Sequence, residues 1–282
     1  MTTGSDDPND EGPRRLTRRE AVLGAAAVLM AACAGGSRST SSRSRQSSTG
    51  TSVRGSAGRA STRPTVPSTA CRLTPELTAG PYHLDGHLAR RDITEGKSGV
   101  PLELRVRVHD LTAGCGPLAG AAVDVWHCDA GGEYSGFNGN SLAATQAGGT
   151  NTERFLRGVQ RTGADGVATF TTIFPGWYQG RTVHIHLRVL EGGSLGATYQ
   201  GGHVAHVGQA FFDEATTARV MALDPYRART GTRTRNEQDS IYRQAGPRAL
   251  TTLRPRGPAP GYVADFTCVV DPNATPPPAP MF

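Results

Sequence analysis

Hydrophobic and polar residues alternate in several short segments of this 282-residue chain. In the clearest, residues 102–109 (LELRVRVH), leucine and valine lie on one face and polar side chains on the other, the period-two pattern of a half-buried strand. An Asp-Gly turn within 162–166 predicts a hairpin between the strands on either side of it. Further strands are predicted over residues 122–127, 156–161, 167–173, 182–190 and 209–212.

Many short strands separated by Gly and Pro turns predict an all-β fold, an antiparallel β-sandwich with long loops and little helix. Only residues 213–223 have helical spacing. We expect one domain over residues 71–271. Within it, residues 224–260 are rich in Arg, Pro and Gly and are interpreted as surface loop, and residues 272–282 as a disordered tail.

The first 70 residues contain no candidate core. Basic residues precede an apolar run at 21–32 that is short for a membrane span, as in an export signal, and the Arg18-Arg19 context resembles the twin-arginine signal of proteins exported folded. We therefore expect residues 1–32 to be an export signal and residues 33–70 a flexible linker. Met30-Ala31-Ala32-Cys33 resembles a lipobox, which predicts a membrane anchor on a lipidated Cys33; ordinary cleavage with full secretion is the alternative.

The positive charge of the chain is concentrated before the predicted domain. The sequence has 30 Lys and Arg and 24 Asp and Glu, and ten of the former and five of the latter precede residue 71. The remaining 20 and 19 nearly cancel. A folded part without a basic excess argues against nucleic-acid binding.

Four cysteines follow Cys33. An even number in an exported chain predicts two disulfides, with three pairings to choose from. Cys71 with Cys268, and Cys115 with Cys128, is our expectation. A thiolate metal site is the alternative, although the sequence has no CxxC motif.

Residues 175–186, PGWYQGRTVHIH, contain the strongest candidate chemistry. In a strand, His184 and His186 share one face while the intervening valine and isoleucine point to the core. Two imidazoles on one face are well placed to bind one metal ion. The predicted strand also puts Arg181 on the opposite face from His184, so the chain must bend before Thr182 if both serve one site.

Two tyrosines supply candidate oxygen ligands. Tyr178 lies in a Pro-Gly-Trp-Tyr turn ahead of the histidines, and Tyr134 in a glycine-rich loop after the predicted strand at 122–127. A free phenol has a pKa of about 10, so binding as phenolate at neutral pH requires a strongly Lewis-acidic ion. Ferric iron meets that requirement; a site holding copper or zinc is the alternative.

These residues resemble the intradiol ring-cleavage dioxygenases, the family of the catechol 1,2- and protocatechuate 3,4-dioxygenases. The resemblance rests on Gly80-Pro81-Tyr82, on residues 123–136, on Asp165-Gly166, and above all on the spacing PGxYxxRxxHxH. It implies a non-haem Fe(3+) held by Tyr134, Tyr178, His184 and His186. It also implies cleavage of a catechol-type diol by O2 to a cis,cis-muconate-type diacid.

The resemblance further implies roles for three residues. Tyr178 would leave the iron and take a substrate proton, Arg181 would stabilise negative charge near the ring, and Gln209 would orient the substrate. An insertion separates Gln209 from the histidines, so Gln200 competes for that role; Phe211 and Phe212, which follow Gln209, favour the former.

Two further matters stay open at the level of sequence. A non-catalytic exported sandwich that binds aromatics or carbohydrate is the alternative function. Family members often form homodimers, in some cases through a helical N-terminal domain, and nothing before Cys71 has the pattern of such a domain.

Overall fold

Eleven strands form most of the regular structure in residues 71–138 and 149–280, the part of the chain that the computed structural model describes. Five of the longer ones begin within two residues of a strand start predicted from the sequence. The strands are β1 (Pro101–Asp110), β2 (Gly116–Pro117), β3 (Ala122–Trp126), β4 (Arg157–Arg161), β5 (Val167–Ile173), β6 (His184–Glu191), β7 (Ser194–Leu195), β8 (Tyr199–Gln200), β9 (His203–Phe211), β10 (Thr252–Pro255) and β11 (Tyr262–Val270).

Two sheets contain the longer strands. One has the order β4-β3-β6-β9 and is antiparallel throughout. The other has the order β10-β11-β1-β2, with β5 also paired to β1, and it is mixed because β1 and β11 run parallel. The all-β prediction is confirmed, whereas the parallel pair and β11 itself were not predicted.

The core lies between the two sheets. Leu104 and Val106 of β1 pack in one hydrophobic cluster with Val125 of β3 and with Ile185 and Leu187 of β6. Each of these strands gives every second residue to the cluster, as the alternation predicts. The alternate residues of β3 and β6, which include both histidines, therefore line the opposite face of the four-stranded sheet.

The predicted hairpin between β4 and β5 is wrong. β4 pairs with β3 in one sheet, and β5 pairs with β1 in the other. The Asp-Gly turn is present, with Gly166 at φ +73° and its amide donating to the carbonyl of Gly163. A tight turn reverses the chain but does not determine which strands pair, so here it connects the two layers.

Helix is sparse in the described residues. α1 (Glu214–Met221) lies within the helix predicted at 213–223 and is capped by Asp213, whose carboxylate accepts from the Thr216 amide. The loop interpretation of residues 224–260 is wrong in part. That segment contains α2 (Ser240–Ala245), strand β10 and the 3-10 turns Tyr226–Ala228, Asn236–Gln238 and Gly246–Ala249.

The cysteine pairing differs from the expected one. Cys71 and Cys115 form a disulfide, while Cys128 and Cys268 are free and buried. Cys268 lies on β11 beside β1, so its side chain belongs to the core and does not close the ends of the domain. Sequence spacing carries no information on which cysteines meet.

Some predictions lie outside the described residues. They are the export signal at 1–32, the linker at 33–70 and the lipidation of Cys33. Residues 272–280 form neither helix nor strand. Within the ranges that the structure describes, no helix is both long and apolar enough to cross a membrane.

Candidate metal centre

Three side-chain atoms predicted as metal ligands converge on the outer face of the four-stranded sheet. The Nε2 atoms of His184 and His186 are 3.0 Å apart, and the Tyr178 hydroxyl lies 3.3 Å from His184 Nε2. Two ligands at right angles, each about 2.1 Å from an ion, would lie about 3.0 Å apart. The spacing of these atoms therefore fits a shared ion.

Tyr134 adds the fourth predicted ligand. Its ring centroid is 5.7 Å from that of Tyr178 and 6.3 Å from that of His186. All four side chains are buried, although they come from a loop, a turn and one strand. The structure thus brings together all four predicted ligands.

The loop that positions Tyr134 is held by Asp129. The Asp129 carboxylate accepts hydrogen bonds from the amides of Gly131 and Glu133, at 2.9 and 3.0 Å. Its carbonyl accepts from Gly176, just ahead of Tyr178, at 3.0 Å. This bond ties the Tyr134 loop directly to the Tyr178 turn.

A hydrogen bond at His184 and a ring stack at His186 orient the two imidazoles. His184 Nδ1 lies 2.6 Å from the carbonyl oxygen of Thr182, so it carries the proton and leaves the Nε2 lone pair free. The His186 ring is stacked on Trp126, with centroids 5.0 Å apart and planes at 3°. Both imidazoles therefore have fixed orientations and direct Nε2 at the same point.

Burial sets the protonation of the four groups. It lowers the pKa of His184 and His186, so both are neutral at pH 7 and able to bind a metal. It raises the pKa of Tyr134 and Tyr178, although the Arg181 charge opposes this at Tyr178. Two buried phenols become phenolates only beside a strongly positive ion, which fits a trivalent metal and fits zinc poorly.

Arg181 lies off the strand, which resolves the alternation problem. β6 begins at His184, and the Arg181 amide donates to the Tyr178 carbonyl at 3.3 Å in a turn. The guanidinium is buried and donates from Nη2 to Gln209 Oε1 at 2.5 Å and from Nε to Asp239 Oδ2 at 2.9 Å. Because Arg181 precedes the strand, the alternation of β6 does not apply to it, and its side chain can lie on the same side as the histidines.

Gln209, and not Gln200, adjoins the histidines. It is directly opposite His186 on β9, is buried, and donates from Nε2 to the Thr78 carbonyl at 2.8 Å. Gln200 is exposed on β8. Arg181 thus fixes the oxygen of the Gln209 amide, and Thr78, in the segment before β1, fixes its nitrogen.

Two contacts around the centre, those of Asp239 and of the Tyr82 ring, were not predicted from the sequence. Asp239 also accepts from the Thr182 amide at 2.8 Å and caps α2 through Ile241. Tyr82 stacks on Tyr134 with centroids 4.3 Å apart. The Asp-Ser pair at 239–240 was a usable helix-start signal, whereas no local pattern indicates which aromatic rings will stack.

The sequence of this chain is similar to those of known proteins. A family model described as a dioxygenase matches residues 74–206. Catechol 1,2-dioxygenase 1 of Acinetobacter lwoffii is 31% identical over 159 residues, which are 52% of this chain and 44% of that protein. The chain thus spans less than half the length of this curated relative.

Two solved structures are similar to this chain over a larger share of its length. The intradiol ring-cleavage dioxygenase from Tetranychus urticae is 32% identical with a TM-score of 0.64, over 74% of this chain and 98% of that one. A second dioxygenase crystal structure is 32% identical with a TM-score of 0.65, over 73% of this chain and 97% of its own.

Proposed function

The chain belongs to the intradiol ring-cleavage dioxygenase family, and we propose that it uses a non-haem Fe(3+) to cleave a catechol-type diol with O2 to a cis,cis-muconate-type diacid. One observation carries the proposal: two imidazole nitrogens and a phenol oxygen lie 3.0 and 3.3 Å apart, with a second phenol beside them. Tyr134, Tyr178, His184 and His186 would hold the metal.

Charge balance supports ferric iron. Two phenolates and one hydroxide cancel three positive charges, so a closed site in a low-dielectric interior carries no net charge. A catechol dianion bound in place of two of these anions would keep this balance. When bound, ferric iron would supply the Lewis acidity that makes the ring reactive toward O2.

Proton transfer is assigned to Tyr178. Its pKa is raised by burial, so the phenolate is a strong base once it is released from a positive ion. Its phenol oxygen lies 3.3 Å from His184 Nε2, and as phenolate it would accept one of the two catechol protons at Oη. The other proton would leave with the displaced hydroxide as water.

Charge stabilisation is assigned to Arg181. Arg181 is 6% exposed, and its charge acts on both Tyr178 and His184. A fixed guanidinium in a site from which water is excluded stabilises negative charge that develops on a bound ring. Gln209 would keep this group in place and contribute to substrate orientation.

The walls of the site support exclusion of water. Tyr82 and Trp126 are both fully buried and lie flat against Tyr134 and His186. The backbone at Gly80 also covers His186, since a Cβ there would lie 3.2 Å from the imidazole. Such a closed surround would protect a reactive ring from side reactions.

The site and the leader sequence support export as a folded protein. Four ligands from separate segments can meet only after folding, and the Arg18-Arg19 motif resembles a signal for folded cargo. We therefore also propose twin-arginine export, with Cys33 as a lipid anchor. Metabolic labelling with palmitate would detect the anchor, and Cys33→Ser should abolish the label.

Metal analysis, a visible spectrum and oxygen uptake test the proposed activity. Ferric phenolate gives a red-brown charge-transfer band that zinc cannot give. Catechol, hydroxyquinol and protocatechuate should each be offered, and the product should be a muconate-type diacid and not a semialdehyde. If iron-loaded protein consumes no O2 with any of them, the non-catalytic binding function replaces this one.

Variants test the ligand set. His184→Ala should lose iron and the band, and Tyr134→Phe should lose at least part of the band with a large fall in oxygen uptake. His109→Gln is the matched control, because His109 is buried on the other sheet and its Nδ1 contacts the Cys115 carbonyl. Full activity in His184→Ala would refute its assignment.

A further inference from the structure

A second cluster of ligating side chains lies on the same face of the four-stranded sheet. Asp124 of β3 contributes a carboxylate, and His83 and His87 approach it from the segment before β1. One nitrogen of each ring and one carboxylate oxygen all lie within 4.8 Å of one another. His83 Nε2 is 3.7 Å from Asp124 Oδ2, and His87 Nδ1 contacts Asp124 Oδ1.

Trp126 separates this cluster from the candidate metal centre. Its ring is stacked on His186 at 5.0 Å and meets the His83 ring edge-on at 4.8 Å. None of the four residues assigned to iron belongs to the cluster. Two sets of ligands therefore occupy one sheet face, with an indole between them.

The cluster has unused ligating capacity and open space beside it. His87 is 4% exposed, yet its Nε2 has no hydrogen-bond partner among the described residues. Such a buried polar atom without a partner is costly. A cavity of about 290 Å³, lined by His87, Asp124, Arg188 and His203 among others, adjoins the cluster and has room for water and an ion.

Arg188 holds Asp124 in place. It is the cross-strand partner of Asp124, and it donates from Nη2 and Nε to Oδ2 at 2.9 and 3.2 Å. Hydrogen bonds to a ligating carboxylate fix its orientation in metal sites. The other carboxylate oxygen, Asp124 Oδ1, faces His87.

The protonation of the cluster suits a metal. Burial lowers the pKa of His87, which keeps the imidazole neutral near pH 7. Burial alone would raise the pKa of Asp124, but the contacts with His87, His83 and Arg188 outweigh it and hold this pKa below its usual value. Neutral imidazole and ionised carboxylate are the forms that bind divalent ions.

We propose that His83, His87 and Asp124 bind a divalent transition-metal ion of the zinc class. Water would occupy the coordination position of the ion that faces the cavity. Two imidazoles and one carboxylate form a donor set typical of zinc with an exchangeable position. Because His83 and His87 lie on the segment that covers the iron ligands, the ion would tie that segment to β3.

Equilibrium dialysis of the full-length, iron-loaded protein against Zn2+, followed by elemental analysis, tests the site. We expect one zinc per chain in addition to iron, with the visible band unchanged. His83→Gln and His87→Gln should each weaken zinc binding at least about tenfold. His203→Gln, which changes a histidine of the same cavity outside the cluster, should bind zinc as the unaltered chain does.

Three results would overturn the proposal. One is equal zinc uptake in all four proteins, and another is an equal loss in His203→Gln, which would indicate adventitious binding. The third is zinc uptake that removes iron and the band. Melting temperatures without zinc check folding, and His83→Gln, whose side chain is 17% exposed, decides the matter if His87→Gln unfolds. Zinc is counted on iron-loaded protein without substrate, so the result does not depend on the dioxygenase activity.

Discussion

Arg181 and Gln209 are joined by a 2.5 Å hydrogen bond between the guanidinium Nη2 and the amide Oε1, although 28 positions separate them in the chain. Asp239 holds the other side of the guanidinium at 2.9 Å. The arginine is therefore fixed between two buried acceptors next to the four predicted ligands. This arrangement supports roles for Arg181 and Gln209 after metal binding.

Replacing Arg181 should slow turnover with little loss of metal. We expect Arg181→Met to lower kcat about 10²–10³-fold, as for removal of one fixed charge-stabilising donor. Arg181→Lys should recover little, because an ammonium cannot make the same two-sided contacts. Steady-state oxygen uptake, normalised to iron content, provides the measurement; a loss of iron equal to the loss of kcat would instead indicate a structural role.

Gln209 and Gln200 form a matched pair. Gln209→Ala should lower kcat/KM about ten- to a hundredfold, since a hydrogen bond to a charged partner contributes about 1.5–3 kcal/mol. Gln200→Ala, on the exposed strand β8, should leave kcat/KM within about twofold. The reverse order of effects would assign substrate orientation to Gln200.

Gly132 controls the approach of the Tyr134 loop to the Tyr178 turn. Its φ is +87°, and a Cβ there would lie 2.3 Å from the Trp177 carbonyl oxygen. Gly132→Ala should therefore reduce both iron retention and melting temperature. Gly114→Ala, at φ +64° with open space around it, isolates the backbone cost of about 1–2 kcal/mol. Equal effects of the two substitutions on iron would contradict the close-approach argument.

The disulfide should contribute to stability while the free thiols stay unreactive. Cys71→Ser with Cys115→Ser opens a cross-link over 44 positions and should cost about 2–4 kcal/mol in urea unfolding. Burial raises the pKa of the Cys128 thiol, so native protein should resist alkylation there. Peptide mapping without reduction checks the pairing, and a linked Cys71–Cys268 or Cys115–Cys128 peptide would refute it.

His127 should make folding weaker in mild acid. Burial lowers its pKa to about 4, and its ring is satisfied when neutral by the Cys128 carbonyl and the Thr172 hydroxyl. In the unfolded chain His127 binds a proton near pH 6.5, whereas in the folded protein it does so only near pH 4. Stability is therefore lost as pH falls from 6.5 toward 4, by up to about 3 kcal/mol.

Urea unfolding at pH 7, 6 and 5 measures this effect. His127→Gln removes the titrating group, so its stability should fall less over this range than that of the unaltered protein. His87 and His109 add losses of the same sign, because burial lowers both pKa values as well. The difference between the two proteins therefore isolates His127, and parallel pH profiles would contradict the assignment.

Local pattern was sufficient for the strands and for the side-chain faces within them. The alternation around His184 and His186 predicted which side chains enter the core, because a strand has a side-chain period of two and one buried face. The spacing of Tyr178, Arg181 and the histidines also indicated the family. Each of these inferences needs only residues a few positions apart.

Contacts between distant segments were not predictable in this way. The pairing of β1 with β11, the separation of β4 and β5 into two sheets, and the Cys71–Cys115 disulfide depend on how the layers pack. Each alternative satisfies the same local turn and strand preferences. The choice among them rests on burial of the whole core.

The sequence by itself determined the strand faces, the ligand types and their order along the chain, because these follow from backbone periodicity and side-chain chemistry. Only the tertiary structure decided that Asp239 and Gln209 hold Arg181, and that Trp126 lies between the iron ligands and a second cluster. These relationships arise when separate segments are packed together, and the free energy that selects them belongs to the folded core as a whole.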